Sequence, residues 1–225
     1  MNTTSVTTFF ILLLGGCFTA TTTQAGVAQQ SWVFDVFLDD RPIGMHQFSI
    51  TEQARGFTLT SEAAFDVSFL MIPVYRYRHR SEERWIDGCL TSLTAQTDDD
   101  GEQLSVSLQK EAQQNRLKTA QGEQTLQGCL RSFAYWDLQL LKSPSLLNAQ
   151  NGELISVDLV LLGTDQLQIA DRNIDSRQYR LAGKDAEGHS IDIQLWYSSQ
   201  GEWLALKSIT EDGYQLRYLR RELTQ

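Results

Sequence analysis

The chain reads as a mainly β protein, an antiparallel, strongly curved sheet or barrel with one mid-chain helix packed on its concave side. Three observations lead there. Apolar and polar residues alternate with a period of two along most of the chain, the pattern of strands with one buried face. Turn residues, several of them Asp-Gly or Asn-Gly pairs, recur at spacings of about ten residues. One stretch after Cys129 switches to helical spacing.

Taken in order, Trp32, Phe34, Val36 and Leu38 alternate with Val33, Asp35 and Phe37. Asp39-Asp40-Arg41 supplies a turn, and Ile43 to Ile50 continues extended, which predicts a hairpin. Phe57, Leu59, Ser61, Ala63 and Phe65 share one face of the next strand. Val67 to Val74 is the most apolar segment of the mature chain, and Pro73 within it marks a strand edge, a bulge or a loop. Tyr75 to Trp85 alternates sharply. Tyr75, Tyr77, His79, Ser81, Glu83 and Trp85 fall on one face, and Arg76, Arg78, Arg80, Glu82 and Arg84 on the other. Asp87-Gly88 and Asp100-Gly101 read as hairpin turns, and Leu104, Val106 and Leu108 alternate again. Arg116 to Gln127 holds one or two short strands around Gly122. From Ser132, the spacing of Phe133, Trp136, Leu140 and Leu141 predicts an amphipathic helix that Pro144 ends. Strands are predicted again at Leu154 to Leu162, Leu167 to Ile169, Gln178 to Ala182, Ile191 to Tyr197, Trp203 to Ile209 and Tyr214 to Leu223.

The first residues do not belong to this pattern. Phe9 to Phe18 is a short apolar run, half the roughly twenty residues that a transmembrane helix needs. It has the length of a signal-peptide core, and Thr23-Gln24-Ala25 resembles a small-x-small cleavage site, so residues 1–25 read as a signal peptide cleaved before Gly26. Leu14-Gly15-Gly16-Cys17 also resembles a lipobox, and lipidation at Cys17 is the alternative. Residues 26–225 then form a single β-rich domain of about 200 residues, periplasmic or secreted, or membrane-anchored through Cys17. Export places Cys89 and Cys129, an even pair, where a disulfide forms. Neither has a C-x-x-C partner, which argues against a metal site.

The net charge of -9 disfavours nucleic acid and anionic membrane surfaces as partners. Known catalytic and nucleotide-binding signatures are missing: there is no G-x-S-x-G, P-loop, G-x-G-x-x-G or H-E-x-x-H. His46, His79 and His189 lie far apart in sequence, and no cofactor is implied. Asp98 to Glu102 is acidic, but its spacing suits a hairpin tip rather than a calcium loop. The candidate binding residues are Arg76, Arg78, Arg80 and Arg84 with Phe69, Leu70 and Ile72. Cationic and apolar surface side by side is what an anionic amphiphile requires. On the opposite reading, acids on neighbouring strands neutralise the arginines.

Trp32-Val33-Phe34, Leu38-Asp39-Asp40-Arg41-Pro42-Ile43-Gly44, His46 and Phe48 resemble the opening of a family of exported bacterial proteins of unknown function. Tyr75-Arg76-Tyr77-Arg78-His79, Glu83-Arg84-Trp85, Asp87-Gly88-Cys89-Leu90, Cys129 and Phe133-Ala134-Tyr135-Trp136-Asp137 are similar to its other marks, as are Leu146-Leu147-Asn148 and Gly152-Glu153. The resemblance implies a single exported domain, a Cys89–Cys129 pair and no agreed catalytic residues. The ending, Trp203-Leu204-Ala205-Leu206-Lys207 and an alternating last strand, is similar to curved half-barrels that carry lipoproteins, which bears on fold only. Two main function classes follow. One is an envelope protein binding a lipid-like or anionic amphiphilic ligand in an apolar cavity. The other is a non-catalytic interaction module that docks another envelope protein through a sheet edge or an apolar loop. An enzyme is the third.

Overall fold

The computed structural model describes residues 29–222, apart from residues 71, 186 and 211 and the side chain of residue 69. The signal segment 1–25, cleavage before Gly26 and the alternative at Cys17 lie outside the described residues.

The strands are β1 (Gln29–Leu38), β2 (Arg41–Glu52), β3 (Phe57–Phe69), β4 (Ile72–Ile86), β5 (Cys89–Asp99), β6 (Glu102–Glu111), β7 (Gln114–Thr119) and β8 (Gly122–Gln127). After a long connection come β9 (Ser145–Leu147), β10 (Leu154–Ile169), β11 (Arg172–Lys184), β12 (Ser190–Ser198), β13 (Trp203–Ile209) and β14 (Gln215–Arg220). They make one antiparallel sheet in the order β8-β7-β6-β5-β4-β3-β2-β1-β14-β13-β12-β11-β10-β9. Every neighbour in that order is a sequence neighbour except β1 and β14, which join the two halves of the chain with Phe34 opposite Arg220. The expected antiparallel, mainly β class is what the sheet has. Closure is not: β8 and β9 are the two edges and do not pair.

The turns follow their residues. At Asp87-Gly88 and Asp100-Gly101 both central residues take positive φ (52° and 72°, 49° and 98°), the geometry of the two-residue hairpin turn that Asp-Gly favours. Pro73 sits opposite Ser68 where the register of β3 and β4 shifts, a position where a missing N–H costs no ladder bond. The two strands expected at Leu154 to Leu162 and Leu167 to Ile169 are one strand, β10, bulged between Leu161 and Gly163. Its far end and that of β11 pack on the outer face of the sheet. There Ile169 is buried with Trp196, Leu204 and Ala205, and the Trp196 indole donates to Asp165 at 2.9 Å.

The inner face of the sheet surrounds one core, with Phe34, Leu59, Trp85, Leu93, Leu108, Leu117, Leu181, Leu195 and Trp203 all at 1% exposure or less. The segment 128–144 enters this core, and here the expected helix is not formed: no helix occurs among the described residues. The segment is held extended at its entry. Cys129 is joined to Cys89, Leu90 N–H donates to Leu130 O, and Ser132 bridges Leu147 in parallel, with Leu147 N–H bonded to Arg131 O. Beyond that, Leu140 and Leu141 N–H both bond to Asp137 O, a single turn that Pro144 does not allow to continue. The side chains explain the outcome. A helix presents one apolar stripe, whereas this segment meets sheet on several sides. Trp136 lies 6.3 Å from Phe48 and 6.0 Å from Trp85 by ring centroids. Tyr135 lies 5.4 Å from Trp203, and its carbonyl accepts the Tyr197 hydroxyl at 2.7 Å. Tertiary packing overrides a four-residue periodicity.

The Cys89–Cys129 bond closes a loop of 40 residues separation. Replacing both cysteines by Ala should lower the stability by about 4 kcal/mol on the chain-entropy account. Equilibrium denaturation of the oxidised wild type and the double variant measures it, and an unchanged midpoint would mean that the segment docks without its covalent tether.

Candidate functional site

The site candidate is a cavity of about 440 Å³ on the inner side of the sheet. One wall is built on three cross-strand rows of β2, β3 and β4, from which His46, Phe48, Leu59, Ser61, His79, Ser81 and Glu83 line it. His46 faces Ala63, which faces His79; Phe48 faces Ser61, which faces Ser81; Ile50 faces Leu59, which faces Glu83. The small residues Ser61 and Ser81 at inward positions leave volume that the large residues around them do not fill. Trp136, Tyr135, Phe133 and Ser132 of the inserted segment close one side, and Ile191, Ile193 and Ser208 of β12 and β13 form the facing wall.

Glu83 is the charge-bearing centre of this wall. It is 3% exposed. One carboxylate oxygen, Oε2, accepts from the Trp85 indole at 2.8 Å and from the Ser132 hydroxyl at 2.8 Å. Burial pushes its pKa up to about 7, against the pull of those two hydrogen bonds. His46 Nε2 lies 2.7 Å from Ser61 Oγ and Nδ1 3.4 Å from the Tyr218 hydroxyl, and its ring stacks on Phe48 at 4.0 Å. His79 Nδ1 lies 2.9 Å from Thr97 Oγ1. Burial lowers His46 to about 3, with His79 adding to the effect, and lowers His79 to about 4. Both imidazoles are therefore neutral at neutral pH. The His46–Ser61 pair has the distance of a nucleophile and its base, but a base this weak abstracts protons poorly, and among the described residues no carboxylate bonds its ring. The arrangement suits hydrogen bonding to a ligand better than proton transfer.

The arginines occupy the other side of β4. Arg76 pairs with Asp98 at 2.7 Å, Arg78 with Asp66 at 2.9 Å and Arg80 with Glu62 at 3.5 Å. Arg84 donates to the Arg55 carbonyl at 2.8 Å. They share the convex face, so the strand carries its cations away from the cavity. Leu70, Ile72 and Val74 are exposed (80%, 65% and 52%) at the β3–β4 tip; the Phe69 side chain lies outside the described residues. Asp98 caps its own turn by accepting from Gly101 N–H. Among the described residues, one group could offer a cation three ligands: Asp185, Glu187 and His189 have donor atoms within 4.8 Å of one another. Asp185 already accepts from His189 N–H and bonds its ring, the work of a turn residue.

Sequence reasoning assigned the inward face of β4 to the core, did not single out Glu83, and set His46 and His79 aside as far apart in sequence. The signal was present: three polar residues, His79, Ser81 and Glu83, interrupt an aromatic face whose period is otherwise that of a core strand. What periodicity does not carry is that β2 and β3 bring His46 and Ser61 beside them.

Glu83 also makes a pH prediction. A carboxyl raised from 4.5 to about 7 on folding binds its proton more tightly in the folded state. Its contribution to stability is therefore present below about pH 4.5 and is lost as pH rises through about 7. In Glu83→Gln that loss is removed. Relative to wild type, the variant should gain roughly 2–3 kcal/mol of stability between pH 5 and pH 8. The histidines titrate alike in both proteins and cancel in the difference. Parallel pH–stability curves would show that Glu83 is ionised in the fold.

Comparison with known proteins bears on family and fold. No curated protein matches the sequence. A crystal structure of a beta-barrel-like protein of the domain of unknown function DUF1849, from Brucella abortus, is similar over 86% of this chain and 95% of that one, with a TM-score of 0.60 at 13% identity. At that identity the likeness concerns fold alone. A structure named as a "putative lipoprotein" of Parabacteroides distasonis covers 86% of this chain and 94% of its own, with 10% identity and a TM-score of 0.34, too low to carry an argument. No helix among the described residues is long and apolar enough to cross a membrane. The model of the domain of unknown function DUF6134 matches residues 34–221, and the chain belongs to that family.

Proposed function

We propose that this chain is an exported envelope protein that binds a small lipid-like ligand in the cavity on the inner face of its sheet. The observation that carries the reading is the cavity's composition. A volume of about 440 Å³ lies in the range of small-molecule sites. It has an apolar part at Phe48, Leu59, Trp136, Ile191 and Ile193 and a polar part at half-buried His46 and buried His79 and Glu83. An amphiphile needs both. The apolar run and cleavage motif of the first 25 residues support export, as does the Cys89–Cys129 bond.

In this reading the arginine strand is not the contact surface. Arg76, Arg78 and Arg80 have acids opposite them, which leaves little uncompensated charge for a head group. A second reading rests on the exposed apolar tip of Leu70, Ile72 and Val74, a surface for docking another envelope protein.

Native mass spectrometry of protein purified from its own envelope, with lipid extraction, tests the first reading. Wild type should carry a co-purifying small molecule. Ser190→Trp, at the exposed rim of the cavity, should lose it while the fold persists, and Arg76→Gln/Arg78→Gln should keep it. An adduct lost from the arginine variant and kept by the rim variant would move the site to the convex face. No adduct in wild type, with no binding of added fatty acids or phospholipids, would leave the docking reading.

A further inference from the structure

Resting on the cavity reading, we infer that the ligand presents an uncharged hydrogen-bond acceptor, such as an amide, ester or hydroxyl, to the Glu83 end of the cavity, and that the site discriminates against an anionic head group.

The charge of the lining is the first argument. Among the residues that line the cavity, Glu83 and Asp192 are acidic and none is Lys or Arg. Asp192 is held by a two-pronged bond from Arg180, at 2.9 and 2.7 Å, so Glu83 alone defines the interior. His46 and His79 are neutral where they sit. An entering carboxylate or phosphate would lose its water and meet no cation, and would face a carboxyl group as well. A buried charge without a partner is the most expensive polar group a site can hold. The cations nearest in sequence, on β4, project to the opposite face, where Arg76, Arg78 and Arg80 are paired with acids and Arg84 donates to the Arg55 carbonyl.

The second argument excludes a cation. An ammonium group would need Glu83 ionised. Burial already opposes that ionisation, and Oε2 has both its hydrogen bonds filled by Trp85 and Ser132. Desolvating both partners of such a pair returns little net gain.

The third argument concerns what the wall offers. The indole N–H of Trp136 is buried and has no acceptor among the described residues, and Trp136 lines the cavity. A buried donor left unmade carries the full desolvation cost. The hydroxyls of Ser61 and Ser81 stand on the same wall. An acceptor satisfies these groups. The rim continues in kind, with Asn148, Gln150 and Ser208 offering uncharged hydrogen bonds.

The test uses three amphiphiles with the same dodecyl-length chain: a carboxylate, a primary amide and an ammonium. Each is titrated into the mature protein at neutral pH by calorimetry, below its micellar concentration. The amide should bind at least roughly tenfold more tightly than either charged analogue. Trp136→Phe, which keeps a ring and deletes the N–H, should weaken the amide roughly two- to tenfold and leave the carboxylate unchanged. If that variant does not fold by circular dichroism, Ser81→Ala serves as the second probe, with a loss for the amide again expected. In Glu83→Gln the gap between amide and carboxylate should narrow by roughly threefold or more, because the repelling carboxyl is gone. A carboxylate or an ammonium that binds as tightly as the amide overturns the inference and leaves the cavity reading intact. So does amide binding that neither Trp136→Phe nor Ser81→Ala alters. Failure of all three compounds to bind removes both.

Discussion

The fold depends on one long segment filling a sheet that does not close. A sheet whose inner face carries Phe34, Leu59, Leu93, Leu117 and Trp203 cannot leave that face in water. Its two edges, β8 and β9, stay apart, so the burial that a closed barrel obtains from strand pairing must come from elsewhere. Residues 128–144 supply it, with Leu130, Ala134, Leu140 and Leu141 buried in the same core. Three kinds of bond secure the segment where it enters: the Cys89–Cys129 link, the main-chain bonds to β5 and β9, and the Ser132 hydroxyl on Glu83. The cavity lies where this filling is incomplete, beside Ser61 and Ser81.

Glu83 therefore has two roles that pull against each other. As a structural group it receives the Trp85 indole and the Ser132 hydroxyl, and so joins the sheet to the inserted segment. As a buried acid it would be better replaced by an apolar or amide side chain on stability grounds alone. This carboxyl lines the same cavity as two neutral histidines and an indole N–H that has no partner among the described residues. The two imidazoles are neutral and can donate and accept hydrogen bonds, while the Glu83 carboxyl, raised to about 7, gives up its proton only around neutral pH.

The two faces of β4 divide the electrostatics of the molecule. Inward, the strand presents Tyr77, His79, Ser81, Glu83 and Trp85, all buried. Outward, it presents arginines laid against Asp66, Asp98 and Glu62 of the adjacent strands. Exposed pairs of this kind contribute little stability individually. They do remove the like-charge repulsion that four arginines on one strand face would otherwise impose. The outer face of β12–β14 is covered differently, by the end of the β10–β11 hairpin over Trp196 and Leu204, which keeps a large aromatic residue out of water on the convex side.

Strand identity was legible in the sequence by itself, because the period of two from Trp32 to Leu38, from Tyr75 to Trp85 and from Leu104 to Leu108 is a local consequence of one buried face. The hairpin turns at Asp87-Gly88 and Asp100-Gly101 were legible for the same local reason, since their residues tolerate positive φ. The conformation of 128–144 was not. The spacing of Phe133, Trp136, Leu140 and Leu141 is compatible with a helix, and only walls of sheet around Trp136 and Tyr135 decide against one. The clustered arginines stand out in a one-dimensional reading, while His79 and His46 become neighbours only when β2, β3 and β4 align in register. Alternation determines which residues point together along one strand. Register across strands, a property of the whole sheet, decides which of them meet.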